Sequence, residues 1–475
     1  MDFLTLLLLL FPLIWAFSHV LVAKFRHTKL PPGPFPLPII GNFLLLGRNP
    51  HRSIAKLSKT YGPLMYLKLG TVQTIKHDQI CSDRTVPHTA HAANHHKSSL
   101  AWLPVGNKWR KLRRICKEHM FTVHKLQSSE GLRKKKLQQL HDYLHECCSN
   151  RRVVDIGEVA FVTSLNLIST TLFSIDFAHF GSNSAQEMKG TPNLADYFPI
   201  LKRIDPQGLK RESEDYAGKL LTTFDQITSE RLRSIGVSSS DFPRKNDLLQ
   251  VLLDLNQERD SDLSRDELKH LFLVLIVGGA DTSTDTVEWA MTELLSNPEI
   301  MSKARNELRT VIGENKQVEE SDISKLPYLR AVVKETFRFH PVVLFLIPHK
   351  ANANVEMNGY IIPKDAQILV NIWAMGRDSS IWSNADMFEP ERFLDSKIDY
   401  KGHDFEFIPF GSGRRICPGM PLAHIMVHLM VASFIHNFKW KLEPGMKSEE
   451  LDLSEMFGLS LHKAVPLKAF PVKWP

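Results

Sequence analysis

The longest helical pattern in this chain starts at a capping box, Ser264-Arg265-Asp266-Glu267, and runs to a stop at Asn297-Pro298. At 1.5 Å per residue such a helix reaches roughly 45 to 50 Å, enough to cross a whole domain. Its centre, Leu271 to Val277, is apolar all round, so the helix is buried. With 475 residues, 43% of them hydrophobic, the chain can bury a large core. It shows no internal repeat and no low-complexity linker after residue 50, which points to one large domain. Next comes Gly278-Gly279-Ala280-Asp281-Thr282-Ser283, an odd sequence for a helix interior. Two glycines cost about 1 kcal/mol each and invite a local break. A carboxylate and a hydroxyl at such a break, Asp281 and Thr282, are candidates for chemistry. Close helix packing for the glycines and a buried ion pair for Asp281 are the structural alternatives.

A second segment, Phe410 to Gly419, reads Phe-Gly-Ser-Gly-Arg-Arg-Ile-Cys-Pro-Gly. Its three glycines and Pro418 make a tight turn whose N–H groups can point inward at the sulfur of Cys417. The apolar run from Leu422 to Phe438 reads as a buried helix. A cysteine just ahead of a helix N-terminus, with Arg415 two residues away, has its thiolate form favoured. One thiolate with no His or Cys at zinc spacing is wrong for structural zinc, and wrong for an iron–sulfur cluster. It fits the axial ligand of a haem; the alternative is a buried structural cysteine acting as a small hydrophobe.

Five cysteines without framework spacing predict a reducing compartment and no disulfide scaffold. A net charge of +7 suggests an anionic membrane surface or an acidic partner. No recognition motif supports a nucleic-acid partner. Phe3 to Ala23 is apolar enough to span a bilayer as one helix, and the basic cluster Lys24, Arg26, His27 and Lys29 follows it. That order argues for an anchor (1–23) with the body cytosolic rather than a cleaved signal. A basic and proline-rich hinge (24–50) carries Pro31-Pro32-Gly33-Pro34-Phe35-Pro36-Leu37-Pro38, which reads as a stiff polyproline-type spacer ahead of the body (51–475).

Within the body, Leu64–Leu69 and Val72–Ile75 read as strands joined at Gly70-Thr71. Trp109 and Arg113 lie four apart on a basic helix, where they could reach a carboxylate of a buried cofactor or simply pack. Arg133-Lys134-Lys135-Lys136 continues the positive bias, as a docking face or a solvated one. Residues 150–260 read as amphipathic helices, with an abrupt cut at Gly190-Thr191-Pro192. Glu335 and Arg338 share a helix face. The apolar stretch His340 to Pro348 and the motif Pro390-Glu391-Arg392-Phe393 follow.

Taken in order, these motifs resemble the cytochrome P450 family, plant microsomal type, in the branch containing geraniol 8-hydroxylase and the ferruginol synthases. The resemblance covers essentially the whole chain. It implies a mainly helical haem-thiolate fold with a smaller β region, preceded by one transmembrane helix. It implies haem b bound by Cys417, Phe410, Arg415, Trp109, Arg113 and His349, with iron on Cys417. Trp109 and Arg113 would clamp a propionate. At His349 the family usually has arginine, and neutral imidazole donates one hydrogen bond where guanidinium donates up to five, so haem affinity would be lower. Thr282 would hold a water or the distal oxygen, and Asp281 would relay protons. Glu335, Arg338 and Arg392 would form a structural lock, and 340–348 would line the substrate pocket. About one helix after Ile75 and another stretch near 190 look missing relative to the family.

The implied activity is monooxygenation of a small hydrophobic terpenoid, a geraniol-like monoterpenol or an abietane-type diterpene. No dinucleotide or flavin motif is present, so electrons must come from a partner, NADPH-cytochrome P450 reductase. The implied location is the endoplasmic reticulum membrane, single-pass, with membrane lipid as a further partner. Two rivals stay open: a reductase-independent haem-thiolate isomerase or dehydratase, against which Asp281-Thr282 argues, and a catalytically impaired paralogue or splice product.

Overall fold

The computed structural model describes residues 29–69, 72–75, 83–181, 193–236, 247–257, 263–313 and 316–473. The expected anchor, the Gly70-Thr71 turn and both apparently shortened stretches, after Ile75 and near 190, lie outside the described residues.

The helices used below are α1 (Pro50–Tyr61), α2 (Asn107–Ile115), α3 (Glu130–Ser149), α4 (Ile156–Phe173), α5 (Leu209–Gly236), α6 (Leu248–Gln257), α7 (Arg265–Ser296), α8 (Pro298–Ile312), α9 (Pro327–Phe339) and α10 (Met420–Asn437). The strands are β1 (Tyr66–Leu69), β2 (Val72–Ile75), β3 (Asp83–Arg84), β4 (His349–Lys350) and β5 (Gln367–Ile368). They form one sheet in the order β1-β2-β5-β4-β3, antiparallel except for the β2–β5 pair. The mainly helical class is as expected, with this sheet and three smaller ones among the described residues.

The long helix is α7, and its predicted start is present. Ser264 Oγ accepts from Glu267 N at 3.1 Å, and Ser264 N donates to Glu267 Oε2 at 2.9 Å. Lys111 of α2 donates to the same carboxylate at 2.9 Å, so the capping acid also holds α2 against α7. Two cores wrap the helix. Leu268, Leu271, Phe272 and Ile276 pack with Leu112 of α2, Phe173 of α4, Phe224 of α5 and Leu252 of α6. Val287, Ala290, Met291 and Leu294 pack with Leu140 and Leu144 of α3, Val159 of α4 and Met430 of α10. Between the two cores lies the stretch that begins at Gly278.

Ile156–Phe173 and Met420–Asn437 are apolar and long enough to cross a membrane, but 72% and 61% of their length is buried, as core helices are.

The proline-rich segment differs from a free spacer. Tyr66 N donates to Pro32 O at 2.9 Å, Ile361 N donates to Lys29 O at 2.6 Å, and Asn42 Nδ2 reaches the carbonyls of Pro34 and Phe35 at 3.2 Å each. A Cβ on Gly33 would come within 2.0 Å of Tyr66 O, so only glycine lets the chain lie this close to β1. An extended proline run has unpaired carbonyls, and an adjacent strand edge satisfies them.

Glu455 ties this end of the molecule together. Its carboxylate, 2% exposed, accepts from Arg52 at 2.6 Å, His51 at 3.1 Å and Trp373 Nε1 at 3.2 Å. Burial pushes its pKa up, but these donors outweigh burial and hold it at about 2. A depressed carboxylate stabilises the fold above its unfolded pKa and loses that contribution as pH falls towards the folded value. Glu455→Gln should therefore lower stability by about 3 kcal/mol at pH 7. Denaturant unfolding should show the gap to wild type closing between about pH 4.5 and 2.

Candidate active site

Cys417 lies between a 3-10 turn, Gly413–Arg415, and the start of α10. Gly411 and Gly413 take φ of +73° and +61°, a region a side chain disfavours, and Cys417 N donates to Phe410 O at 2.9 Å to close the loop. Burial raises the Cys417 thiol pKa; the Gly419 N–H, the Arg113 guanidinium and the Met420 N–H pull against it. The backbone donors at the helix start are as the turn predicts. The charge comes from a different residue than expected, because Arg415 points away. Its guanidinium stacks over the Trp109 ring at 4.7 Å and donates to Leu103 O at 2.6 Å. Burial brings Arg415 down to about 10, with Arg113 pushing the same way and Asp83 opposing.

A cavity of about 380 Å³ connects this loop to α7. Its wall includes Cys417, Phe410, Gly411 and Arg415 from the loop, and Trp109 and Arg113 from α2. Gly278, Gly279, Thr282 and Ser283 of α7 complete it, with Val342, Val343, Leu346, Ile347 and His349 from the segment into β4. The 340–348 stretch thus lines the cavity as anticipated. Phe410 is fixed edge-to-face by Phe337 of α9, with ring centroids 5.1 Å apart.

The expected break in α7 does not occur: the helix is continuous through Gly278 and Gly279. Close packing accounts for Gly279, since a Cβ there would lie 2.6 Å from Ile168 Cδ1 of α4. Thr282 Oγ1 donates to Gly278 O at 2.8 Å, which satisfies the hydroxyl within the helix. Asp281 is half-buried on the adjoining face and is not part of the cavity wall.

Glu335 and Arg338 are fully buried side chains joined by two 2.7 Å hydrogen bonds, and Arg392 Nε reaches the same carboxylate at 3.1 Å. Arg338 also donates to the carbonyls of Ala385 and Met387 at 2.8 Å each, pinning α9 to the loop ahead of Arg392. None of the three residues is part of the cavity wall.

Two features of the wall escaped sequence reasoning. Arg84 of β3 is buried and lines the cavity, directly opposite His349 in the antiparallel register. A guanidinium therefore remains on the wall beside the imidazole that occupies position 349. A π-helical turn, Cys116–Met120, extends α2 and brings Phe121 to the start of α10, where a Cβ on Gly419 would lie 4.0 Å from its ring and 3.8 Å from Cys417 Sγ. No periodicity marks either.

The basic run is also corrected. Lys136 is buried and paired with Asp176, Arg133 is buried and paired with Glu320, and Lys134 pairs with Glu319 at 2.7 Å. Three of these four cations hold α3 to its neighbours, so the run is not an open docking face.

The Cytochrome P450 family pattern matches residues 31–465, and the chain belongs to that family. It is 52% identical to Cytochrome P450 76T24 of Catharanthus roseus, over 97% of each chain. It is 49% identical to the ferruginol synthase of Isodon rubescens, over 94% of this chain and 95% of the other. With the geraniol 8-hydroxylase of Catharanthus roseus it shares 46% identity over 99% of each. That last alignment spans 501 positions against the 475 of this chain, so the relative carries residues with no counterpart here.

The chain is accordingly a haem-thiolate monooxygenase with haem as cofactor. The residues fit the group: one sulfur donor on a cavity wall that also carries the side-chain-free Gly278 and the guanidinium groups of Arg84, Arg113 and Arg415, the residue type that binds carboxylates.

Proposed function

We propose that this protein hydroxylates a small hydrophobic terpenoid, with electrons from NADPH-cytochrome P450 reductase. We further propose an endoplasmic reticulum setting, with one N-terminal span and the catalytic domain in the cytosol. The observation that carries the substrate reading is the cavity beyond Cys417, whose α7 and 342–347 walls are apolar apart from Thr282 and Ser283. Such a wall selects by shape and dispersion. The names of the ferruginol synthase and geraniol 8-hydroxylase relatives support it.

Haem, when bound, supplies the activation of dioxygen. The chain's own residues do the rest. Cys417 provides the anionic sulfur, and Arg113 and the Gly419 and Met420 N–H groups stabilise that charge. Trp109, Arg113, Arg415, Arg84 and His349, which line the same cavity, would hold and orient the haem. Thr282 lines the same cavity one helical turn from Gly278, and because its hydroxyl donates to the Gly278 carbonyl, its oxygen is left to accept from a water or ligand. Asp281 would relay protons from outside the wall rather than from within it. Reductase docking is best placed on Arg114 and Lys117, exposed cations flanking the turn that carries Arg113 towards the sulfur.

Thr282→Ala should keep haem and substrate binding within about twofold but divert NADPH consumption into peroxide, because protons no longer reach oxygen in an ordered way. Product and peroxide per NADPH are the quantities to measure, and unchanged coupling would show the hydroxyl to be only a helix bond. The proposal as a whole is tested by reductase-dependent turnover of terpenoid substrates under isotopic dioxygen; product without label would overturn it. A second reading, an impaired paralogue, draws on the longer alignments of the relatives and predicts haem binding without turnover in the same assay.

A further inference from the structure

Behind the cysteine loop, outside the cavity wall, a phenol and an imidazole are buried against each other. Tyr400 is 6% exposed and packs its ring on Phe410, with centroids 5.4 Å apart, and on Phe337 of α9 at 5.3 Å. Phe410 O accepts the Cys417 N–H, so one aromatic ring stands between Tyr400 and the thiolate loop. The Tyr400 hydroxyl is hydrogen-bonded to Nδ1 of His424 on α10. Leu422, Ala423 and Met426 of that helix line the cavity; Tyr400 and His424 do not. Burial, with Asp399 adding and Arg330 opposing, raises the Tyr400 pKa, so the phenol keeps its proton. Burial, with Arg330 adding and Asp399 opposing, brings His424 down to about 4, so its imidazole is neutral at pH 7. At rest, therefore, the phenol O–H donates and Nδ1 accepts. His428, one turn further along α10, donates from its own Nδ1 to the His424 carbonyl at 2.5 Å and steadies the acceptor's backbone.

A buried phenol gives up an electron easily only if its proton leaves with it, because an apolar site cannot support the cation that would otherwise remain. His424 Nδ1 is a base already seated on that O–H. Trp109 lies on the cavity wall itself but is the poorer source of an electron. Its oxidation would put positive charge on the ring, and the Arg415 guanidinium already sits over that ring at 4.7 Å.

We propose that Tyr400 and His424 form a redox pair that gives one electron to the haem site when an oxidising equivalent formed there from peroxide finds no substrate. The electron leaves the phenol, its O–H bond breaks, and the proton passes to His424 Nδ1. The products are a neutral tyrosyl radical, an imidazolium and a haem site less oxidised by one electron. A soluble one-electron reductant of the ascorbate class restores the phenol, with the proton returning from His424. The pair thereby spares haem and Cys417 during unproductive turnover.

The test uses full-length, haem-loaded protein without substrate, mixed with hydrogen peroxide, frozen rapidly and read by electron paramagnetic resonance. Haem bleaching is followed in parallel, and the reduced carbon monoxide spectrum confirms loading beforehand. Wild type should give a tyrosyl signal. Tyr400→Phe keeps the ring and should cut that signal about tenfold or more while speeding bleaching severalfold. His424→Gln separates hydrogen bonding from proton transfer, because an amide oxygen accepts from the hydroxyl but does not take its proton. It should lower the signal to the same degree with the carbon monoxide spectrum unchanged, and it decides the matter alone if Tyr400→Phe loads poorly. No tyrosyl signal in wild type, or an undiminished signal in either loaded variant, would overturn the proposal.

Discussion

Glu335→Ala should leave almost no soluble, haem-retaining protein. The substitution strips the carboxylate that Arg338, its side chain 0% exposed, shares with Arg392, 7% exposed, and leaves Arg392 only its second partner, the Glu389 carboxylate at 3.2 Å. Removing one partner of a buried ion pair typically costs about 3–5 kcal/mol, because the remaining charge stays buried and uncompensated. Here two guanidinium groups lose it together, along with the Glu389 N–H that donates to the same oxygen at 2.7 Å. That loss rivals the whole margin of a typical domain. The damage should reach the cofactor through Phe337, which sits on the helix of the lock and packs against Phe410 of the cysteine loop. Urea unfolding and haem content after purification are the measurements; wild-type values for both would show that the carboxylate is not what holds α9 to the segment ending at Arg392.

Cys417→Ala should eliminate turnover while leaving the fold in place. Alanine keeps the Cys417 N–H bond to Phe410 O that closes the loop. It loses the one atom able to carry negative charge to iron at that point. Cys116 cannot substitute: burial, the largest influence, holds its thiol at about 12, and it lies on the turn beyond α2. Thermal unfolding should shift little, haem content should fall, and any haem retained should lack thiolate character. Retained monooxygenase activity in this variant would contradict the assignment of the ligand.

The parts of this architecture that could be read from the chain are those whose signals are local. The capping box at Ser264, the glycine turn before Cys417 and the i, i+3 spacing of Glu335 and Arg338 each lie within a few residues, and each is present. What could not be read depends on partners far away. Whether Lys134 and Lys136 are open or paired is decided by Glu319 and Asp176, and nothing in a basic tetrapeptide reveals them. The contribution of Arg84 follows from the register of β3 on β4, which brings it opposite His349 across more than half the chain. The two glycines of α7 looked alike in sequence and do different things: one admits α4, the other opens the cavity. The proline segment read as a spacer because its composition forbids helix, but composition does not say whether an extended strand is free or laid along β1.

The central claim is that Cys417 delivers a thiolate to haem in a cavity that this chain folds to hold it. The reduced carbon monoxide difference spectrum of the intact wild-type protein tests that most directly, since one band reports both haem and thiolate. The account predicts a single band at about 450 nm that is lost in Cys417→Ala. A band displaced from that position in freshly prepared wild type, or one that survives there in Cys417→Ala, would contradict it.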